Sequence, residues 1–365
     1  MVYNVNDTAT QILAAKQVKE NIFMDLVHKD GYGVTQHEET NASTIRIFKV
    51  KPSEDNAREI GYKLNGVTTE NANSGWFNEQ GASTASVIEY DLNLLYVFDK
   101  PVDIPEVQQD MVSVNLMDNT TKNIGGRCAL EINASTIAAQ LCTAYQDAAA
   151  AKSWDGLNAV AESSETGAYE AVLKASTKLD DGDEENGIQS FPFAEREIIM
   201  RPSFRAKLLD ERGVIKGGSN YAQSMLAKGA VSPEARKEWG NMYCGEIDGI
   251  PCYIAPAQLW ARAGQWTKFK PTSGETVEGS SDMFANVNAI VCAASATDRG
   301  ISSQDYIKIV DSPNGAGKRL QPKTRWGINV CYKKGIVPIL GSATVPTEGE
   351  YSIFAPASKK TAAAG

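Results

Sequence analysis

Acid–base or metal chemistry in this chain would have to come from very few side chains, because it has only two histidines, His28 and His37. Imidazole is the side chain whose ordinary pKa lies nearest neutrality. Neither histidine belongs to an H-E-x-x-H pair, which would present two ring nitrogens to zinc from one helical face. His37 precedes Glu38 and Glu39, but no second histidine follows four residues on. Both lie in a polar N-terminal stretch and are expected to be solvated. The six cysteines, Cys128, Cys142, Cys244, Cys252, Cys292 and Cys331, form no C-x-x-C pair. They sit among apolar neighbours, as in Ile290-Val291-Cys292-Ala293, and read as reduced, buried small hydrophobes. A cysteine nucleophile would need a base nearby, and both histidines lie in a distant polar segment.

The run Ile307-Lys308-Ile309-Val310-Asp311-Ser312-Pro313-Asn314-Gly315-Ala316-Gly317-Lys318-Arg319 imitates a phosphate-binding loop. Such a loop needs Gly at its first position, for amides that point at phosphate, and Ser or Thr after the lysine, for magnesium. Ser312 and Arg319 occupy those places, and Pro322 discourages the helix whose N-terminus would hold the anion. A turn between two strands is the simpler expectation. The acidic run from Asp180 to Gly187 lacks the glycine and the glutamate of a calcium loop and is expected to be a solvated loop. Glycosylation-type tripeptides start at Asn41, Asn119 and Asn133, but no basic region followed by an apolar block marks the N-terminus as a secretory signal. No catalytic, cofactor-binding or metal-ligating set is therefore assigned.

Side chains without chemistry shift attention to the elements that carry them. The chain has 365 residues, enough for two or three compact units with real cores. With 36 basic and 45 acidic residues its net charge is −9, which disfavours tight nucleic-acid binding as a main activity. No apolar run is long enough to span a membrane.

Residues 1–43 are largely polar, with one short amphipathic stretch in which Ile12, Ala15, Val18, Ile22 and Leu26 recur at a spacing that suits a helix ended by Gly31-Tyr32-Gly33. Residues 44–98 alternate in strand fashion at Ile45 and Ile47, at Ile60, Tyr62 and Leu64, and from Ile88 to Leu94. Only 13 of the 40 residues from Lys51 to Tyr90 are apolar, below the whole-chain share, so this hairpin needs a neighbour to cover it. Ile60, Tyr62, Leu64 and the pair Trp76-Phe77 are the candidate inter-subunit contacts, aromatic anchors for a pocket on another chain. Leu130, Ile137, Leu141, Ala144 and Ala148 predict a long Ala-rich helix over about 126–151, and Tyr169 to Ser176 a second one from Gly167 to Leu179. Glu197 to Met200 reads as a buried strand with Pro202 opening a helix. Glu246 to Tyr253 reads as a hairpin turning at Asp248-Gly249, with Pro251 on an unpaired edge. Ala289 to Cys292, Trp326 to Tyr332 and Ile336 to Leu340 add further strands.

In that order the segments resemble the major capsid proteins of tailed double-stranded DNA phages, the Hong Kong 97-type fold. The stretches that carry the resemblance are Arg196 to Phe204 with Lys207-Leu208-Leu209, Gly245 to Tyr253, and Arg325-Trp326-Gly327-Ile328 with Lys334-Gly335-Ile336. The resemblance implies an α+β fold. It comprises an N-arm (1–43), an extended β-hairpin or E-loop (44–98), and a peripheral domain with a long spine helix (99–187). An axial domain (188–310), C-terminal strands returning to the peripheral domain (311–355) and a flexible tail (356–365) follow. It further implies a structural protein, not an enzyme. Its copies would form hexamers and pentamers of an icosahedral shell around phage DNA, assembled in the host bacterial cytoplasm. The implied partners are a separate scaffolding protein, a portal protein at one vertex, a decoration protein, and packaged DNA by weak non-specific contact, with no membrane and no cofactor. Lys51 and Lys63 lie where some relatives crosslink, but nothing singles out a reactive pair. Two alternatives stay open, an encapsulin-like nanocompartment shell and a nucleotide-binding enzyme using Gly315 to Lys318.

Overall fold

The computed structural model describes residues 8–39, 43–51, 86–98, 101–105, 116–162, 167–183, 186, 188–214, 239–272, 274–302, 307–313 and 317–355. Ile60, Tyr62, Leu64, Trp76 and Phe77 lie outside the described residues. No described helix is long and apolar enough to cross a membrane.

Helix α1 (Thr8–Asp25) buries Ala14, Val18 and Ile22, continued by Leu26. Val18, Ile22 and Leu26 are the expected stripe, but Ile12 is 64% exposed and Ala14 takes the inner place at the N-terminal end. The strands that follow are β1 (Lys29–Asp30) and β2 (Gly33–Glu39). Next come β3 (Thr44–Lys51) and β4 (Ser86–Asn93), then β5 (Tyr96–Phe98) and β6 (Val102–Pro105).

The stripe of α1 lies along α2 (Leu116–Ala151), whose 36 residues make it about 54 Å long at 1.5 Å per residue. It starts ten residues before the predicted helix. Gly125-Gly126, a pair of low helix propensity, falls inside it because α1 needs the space. A Cβ on Gly125 would come 2.7 Å from Asn21 Cβ and 3.2 Å from the Val18 carbonyl oxygen. From Cys128 to Cys142 the helix is buried on almost every side. Its Ala, Ser, Thr and Cys side chains are small enough to let neighbours approach all round.

After the short strand β7 (Val160–Ala161) come α3 (Ala168–Asp180), β8 (Arg196–Met200) and α4 (Pro202–Val214). The hairpin β9 (Tyr243–Ile247) and β10 (Ile250–Ile254) follows, then α5 (Ala257–Gln265), β11 (Thr267–Pro271) and β12 (Val277–Glu278). The remaining strands are β13 (Val287–Ala293), β14 (Thr297–Ser302), β15 (Ile307–Asp311), β16 (Gly317–Pro322), β17 (Thr324–Val330), β18 (Ile336–Leu340) and β19 (Gly349–Ile353).

A mixed six-stranded sheet runs β7-β18-β13-β8-β10-β9. Side chains alternate across it. Ile199, Ile290, Cys292 and Leu340 join the core around α2, whereas Ile198, Met200, Val291 and Ile339 join the core under α3 and α4. Burial on both faces explains why these strands read as unbroken apolar runs. The β9–β10 turn has positive φ at Asp248 and Gly249, as the Asp-Gly pair predicts. Pro251 is not on an edge strand: β10 lies inside the sheet, and its parallel ladder to β8 starts one residue later, at Cys252. The missing N–H therefore falls just before the ladder that would have needed it.

A five-stranded sheet runs β1-β2-β14-β17-β5. Strand β2, from the polar N-terminal stretch, pairs in parallel with β14. The eight-pair antiparallel ladder β3–β4 crosses above this sheet and buries Ile45, Ile47, Leu92 and Leu94 against it. Its other face shows Phe48, 62% exposed, beside an Arg46–Asp91 ion pair. Two glycines opposite each other, Gly300 on β14 and Gly327 on β17, make room for the crossing. A Cβ on Gly327 would stand 2.2 Å from the Asn93 carbonyl oxygen, a backbone atom that cannot swing aside. Gly327→Ala is expected to destabilise by about 1–3 kcal/mol through overpacking. It should also speed hydrogen exchange in 44–51 and 86–93 relative to the rest of the chain.

Candidate functional site

Strand β14 brings one charged pair, Asp298 and Arg299, into the interior, and the two-residue period sends them to opposite faces. Asp298 shares its face with Gly300 and looks toward the root of the β3–β4 ladder. Arg299 looks the other way, toward the six-stranded sheet.

The Asp298 carboxylate accepts four hydrogen bonds from four segments. His37 Nε2 on β2 donates to Oδ1 at 3.1 Å. Lys49 Nζ on β3 and Cys331 Sγ, just past β17, donate to Oδ2 at 2.7 and 2.9 Å. The Tyr90 hydroxyl on β4 donates to the same oxygen. Lys49 also reaches the Ser295 carbonyl at 3.0 Å and lies 5.2 Å from the centre of the Tyr332 ring. Burial by itself would raise the acid's pKa, but bonds from His37, Cys331, Lys49 and Tyr90 outweigh it and hold the carboxyl at about 2. Burial, followed by bonds to Asp298 and Cys331, raises the Tyr90 phenol. Burial, reinforced by the Asp298 charge, raises the Cys331 thiol. The carboxylate is thus an ionised acceptor wholly occupied by donors, and the thiol beside it is held protonated. Such a set clamps backbone segments together; it offers neither a free base nor a thiolate nucleophile.

On the opposite face Arg299 Nη2 donates to the His28 carbonyl at 3.0 Å and to Gln36 Oε1 at 2.7 Å. His28 Nδ1 bonds Glu197 Oε1, and Cys292 Sγ lies 3.8 Å from that same oxygen. All four of these residues are buried. Burial, then the Arg299 charge, holds the His28 imidazole below its usual range. Burial pushes the Glu197 carboxyl up against the opposing pull of Arg299. The ligand atoms of His28, Glu197 and Cys292 lie within 4.8 Å of one another, a spacing compatible with a metal ion. The Arg299 guanidinium already supplies a positive charge to Glu197, which disfavours a second cation there. Arg299 thus acts on Glu197 as a nearby charge without a direct ion pair; its own hydrogen bonds anchor the turn after α1 to β14, and the His28–Glu197 bond anchors it to β8.

Both histidines thus depart from the expected solvated state: His28 is fully buried, and the His37 side chain is 28% exposed and bonded to Asp298. The polar pattern of residues 1–43 could not reveal this, because their burial comes from contacts with α2, β8 and β14. All six cysteines are free and five are buried, as expected; Cys331 departs from that, being half-buried with its thiol bonded to Asp298. The acidic run is less solvated than expected: Asp180 pairs with the buried Arg196 at 2.5 Å, and Asp183 is itself buried beside Asn186.

Gly317-Lys318 opens strand β16 rather than a helix, so no helix N-terminus faces the turn. Lys318 pairs with Asp311 across the β15–β16 hairpin at 2.6 Å, and Arg319 makes a two-pronged contact with Asp103 on β6 at 2.6 and 2.7 Å. The two expected strands are present on either side, whereas Asn314, Gly315 and Ala316 between them lie outside the described residues.

Sequence reasoning missed Asp298, Arg299, Glu197, Lys49 and Tyr90. One signal was there to be used. Asp298-Arg299 is the only charged pair between Asp282 and Asp305, within an otherwise uncharged run rich in Ala, Val and Ile. Charges in such a run are paired when they are buried.

No family model and no curated protein matches the chain. Solved structures do. The head structure of Helicobacter pylori bacteriophage KHP40 aligns over 90% of this chain and 91% of that one, at 10% identity and a TM-score of 0.50. The capsid of Ralstonia phage GP4 aligns over 87% and 89%, also at 10% identity and a TM-score of 0.50. At that identity the likeness is one of fold, and the chain has the α+β fold of phage capsid shells that the order of its segments implied.

Proposed function

We propose that this chain is the major capsid protein of a tailed double-stranded DNA phage. Its role is structural: copies associate into hexamers and pentamers that close an icosahedral shell around the genome. It acts in the virion after assembly in the bacterial cytoplasm. The observation that carries this is the fold likeness to two phage shells over about nine-tenths of both chains in each pair. The β3–β4 ladder supports it: among the described residues a small cluster of Ile45, Ile47, Leu92 and Leu94, with Tyr90 packed on it, covers its inner face, and its outer face presents Phe48 to whatever covers it. A ladder so thinly covered gains burial when sister copies close around it.

In this proposal residues 1–43 act as the N-arm and 44–98 as the E-loop. Residues 99–187 with 311–355 form the peripheral domain, 188–310 the axial domain, and 356–365 a tail. Ile60, Tyr62, Leu64, Trp76 and Phe77 would contact neighbouring subunits. A separate scaffolding protein, a portal protein at one vertex and a decoration protein are the further partners. Contact with DNA is weak and non-specific, in keeping with a net charge of −9.

Electron microscopy of the purified protein, alone and co-expressed with its candidate scaffold, tests this directly. Closed shells of uniform size that need the scaffold are expected. Uniform cages formed without scaffold around a host enzyme would replace the phage reading by a nanocompartment. Dispersed monomers under both conditions would end it. Changing Trp76→Ser together with Phe77→Ser should leave the far-ultraviolet circular dichroism of the unassembled protein unchanged while greatly reducing shell yield. A loss of helical signal would instead place both aromatics in the chain's own core.

A further inference from the structure

Among the described residues, Asp298 is the carboxylate shared by the N-terminal strand and by both strands of the β3–β4 ladder. His37 reaches it from β2, Lys49 from β3 and Tyr90 from β4. The next residue, Arg299, ties the chain just before β2 and Gln36 within it to the opposite face of the same strand. Among the described residues, the ladder's apolar anchor is Ile45, Ile47, Leu92 and Leu94 with Tyr90 packed on them, a small cluster separate from the two large cores. β2 is tied by its parallel pairing to β14, a Thr35 hydroxyl bond to the Ala294 carbonyl at 3.0 Å, a Lys19–Glu38 ion pair at 2.5 Å and the buried Val34 side chain.

A buried carboxylate deprived of one charged donor does not simply lose that bond. Its remaining donors must bear more of the burial cost, and the positions they hold become easier to leave. We propose that Asp298 couples the docking of the N-terminal strand to the setting of the hairpin root, so that loosening either element loosens the other. Coupling of this kind is reciprocal by thermodynamic necessity. Its significance for shell closure rests on the capsid reading, whereas the coupling itself is a property of the single chain.

Hydrogen exchange on the full-length, unassembled protein separates the two. His37→Ala removes the β2 donor and touches neither ladder strand. It is expected to speed exchange in 44–51 and 86–93 roughly tenfold, the size set by losing one charge-assisted hydrogen bond. Lys49→Met removes the β3 donor and is expected to do the same to 33–39. Thr35→Val loosens β2 without removing any donor to the Asp298 carboxylate and serves as the control. It should speed exchange in 33–39 and leave the ladder unchanged. If each variant alters only its own strand, there is no coupling. If Thr35→Val disturbs the ladder as strongly as His37→Ala does, the coupling runs through strand pairing and Asp298 is not its agent. Should Lys49→Met fail to fold, His37→Ala against Thr35→Val still decides the matter. A reciprocal result would stand even if microscopy showed no shells, so the two proposals fail separately.

Discussion

Arg299→Met should cost the folded chain about 1–3 kcal/mol, the range for leaving buried hydrogen-bonding groups unsatisfied. The guanidinium is fully buried within electrostatic reach of the Glu197 carboxyl, and its Nη2 satisfies the His28 carbonyl and Gln36. Methionine fills much of the same volume but leaves Glu197 without a counter-charge. The carboxyl then has to take up a proton or remain charged in the interior, and either course is unfavourable. The double variant Arg299→Met with Glu197→Gln is expected to recover a large part of the loss, because a carboxamide needs no counter-charge. Urea unfolding followed by tryptophan fluorescence reads this well, since Trp260, Trp266 and Trp326 are all buried. A single-variant loss under about 1 kcal/mol, typical of an exposed pair, would mean that the guanidinium does not compensate Glu197.

The acid side of the stability curve should carry the signature of Asp298. Its carboxyl is held at about 2 in the folded chain against an ordinary value of 3.8. A group with a depressed folded pKa adds stability that is complete above its unfolded pKa and is lost as pH falls toward the folded one. The window here runs from about pH 4 to about pH 2, and the shift corresponds to about 2 kcal/mol. Asp298→Asn has no such titration. At pH 7 it should be less stable than the parent by at least that amount, since a neutral amide is a weaker acceptor for Lys49 and His37. The gap between the two should narrow as the pH approaches 2. Subtracting the two pH profiles removes the contributions of every other carboxyl group that titrates alike in both. A difference that stays constant from pH 7 to pH 2 would show that Asp298 is not ionised in the clamp.

Much of the architecture was legible from residue order. The apolar runs at Glu197 to Met200, Ala289 to Cys292 and Ile336 to Leu340 became the central strands of the six-stranded sheet. Asp248-Gly249 became the tight turn of its edge hairpin. Gly167 to Leu179 came within a residue of α3 at each end. These are local matters: periodicity, turn chemistry and propensity act over a few residues. The N-terminal third of α2 was hidden for the opposite reason. Gly125-Gly126 weakens a helix locally, and only the approach of α1 makes those two residues the right ones.

Of the clamp on β14, only the two charges Asp298-Arg299 in an uncharged run stood out in the sequence, and nothing there gave their partners. His28 and His37 looked like solvated polar residues, and Lys49 and Tyr90 like ordinary members of half-buried strands. Composition, periodicity and turn residues determined the elements, their order and hence the α+β class, because each is a statement about neighbours along the chain. That a single aspartate at position 298 should gather donors from residues 37, 49, 90 and 331 was decided in three dimensions only. A buried carboxylate takes whichever donors the packing delivers, and which strands cross above one another is settled by the burial of the whole surface rather than by any one segment.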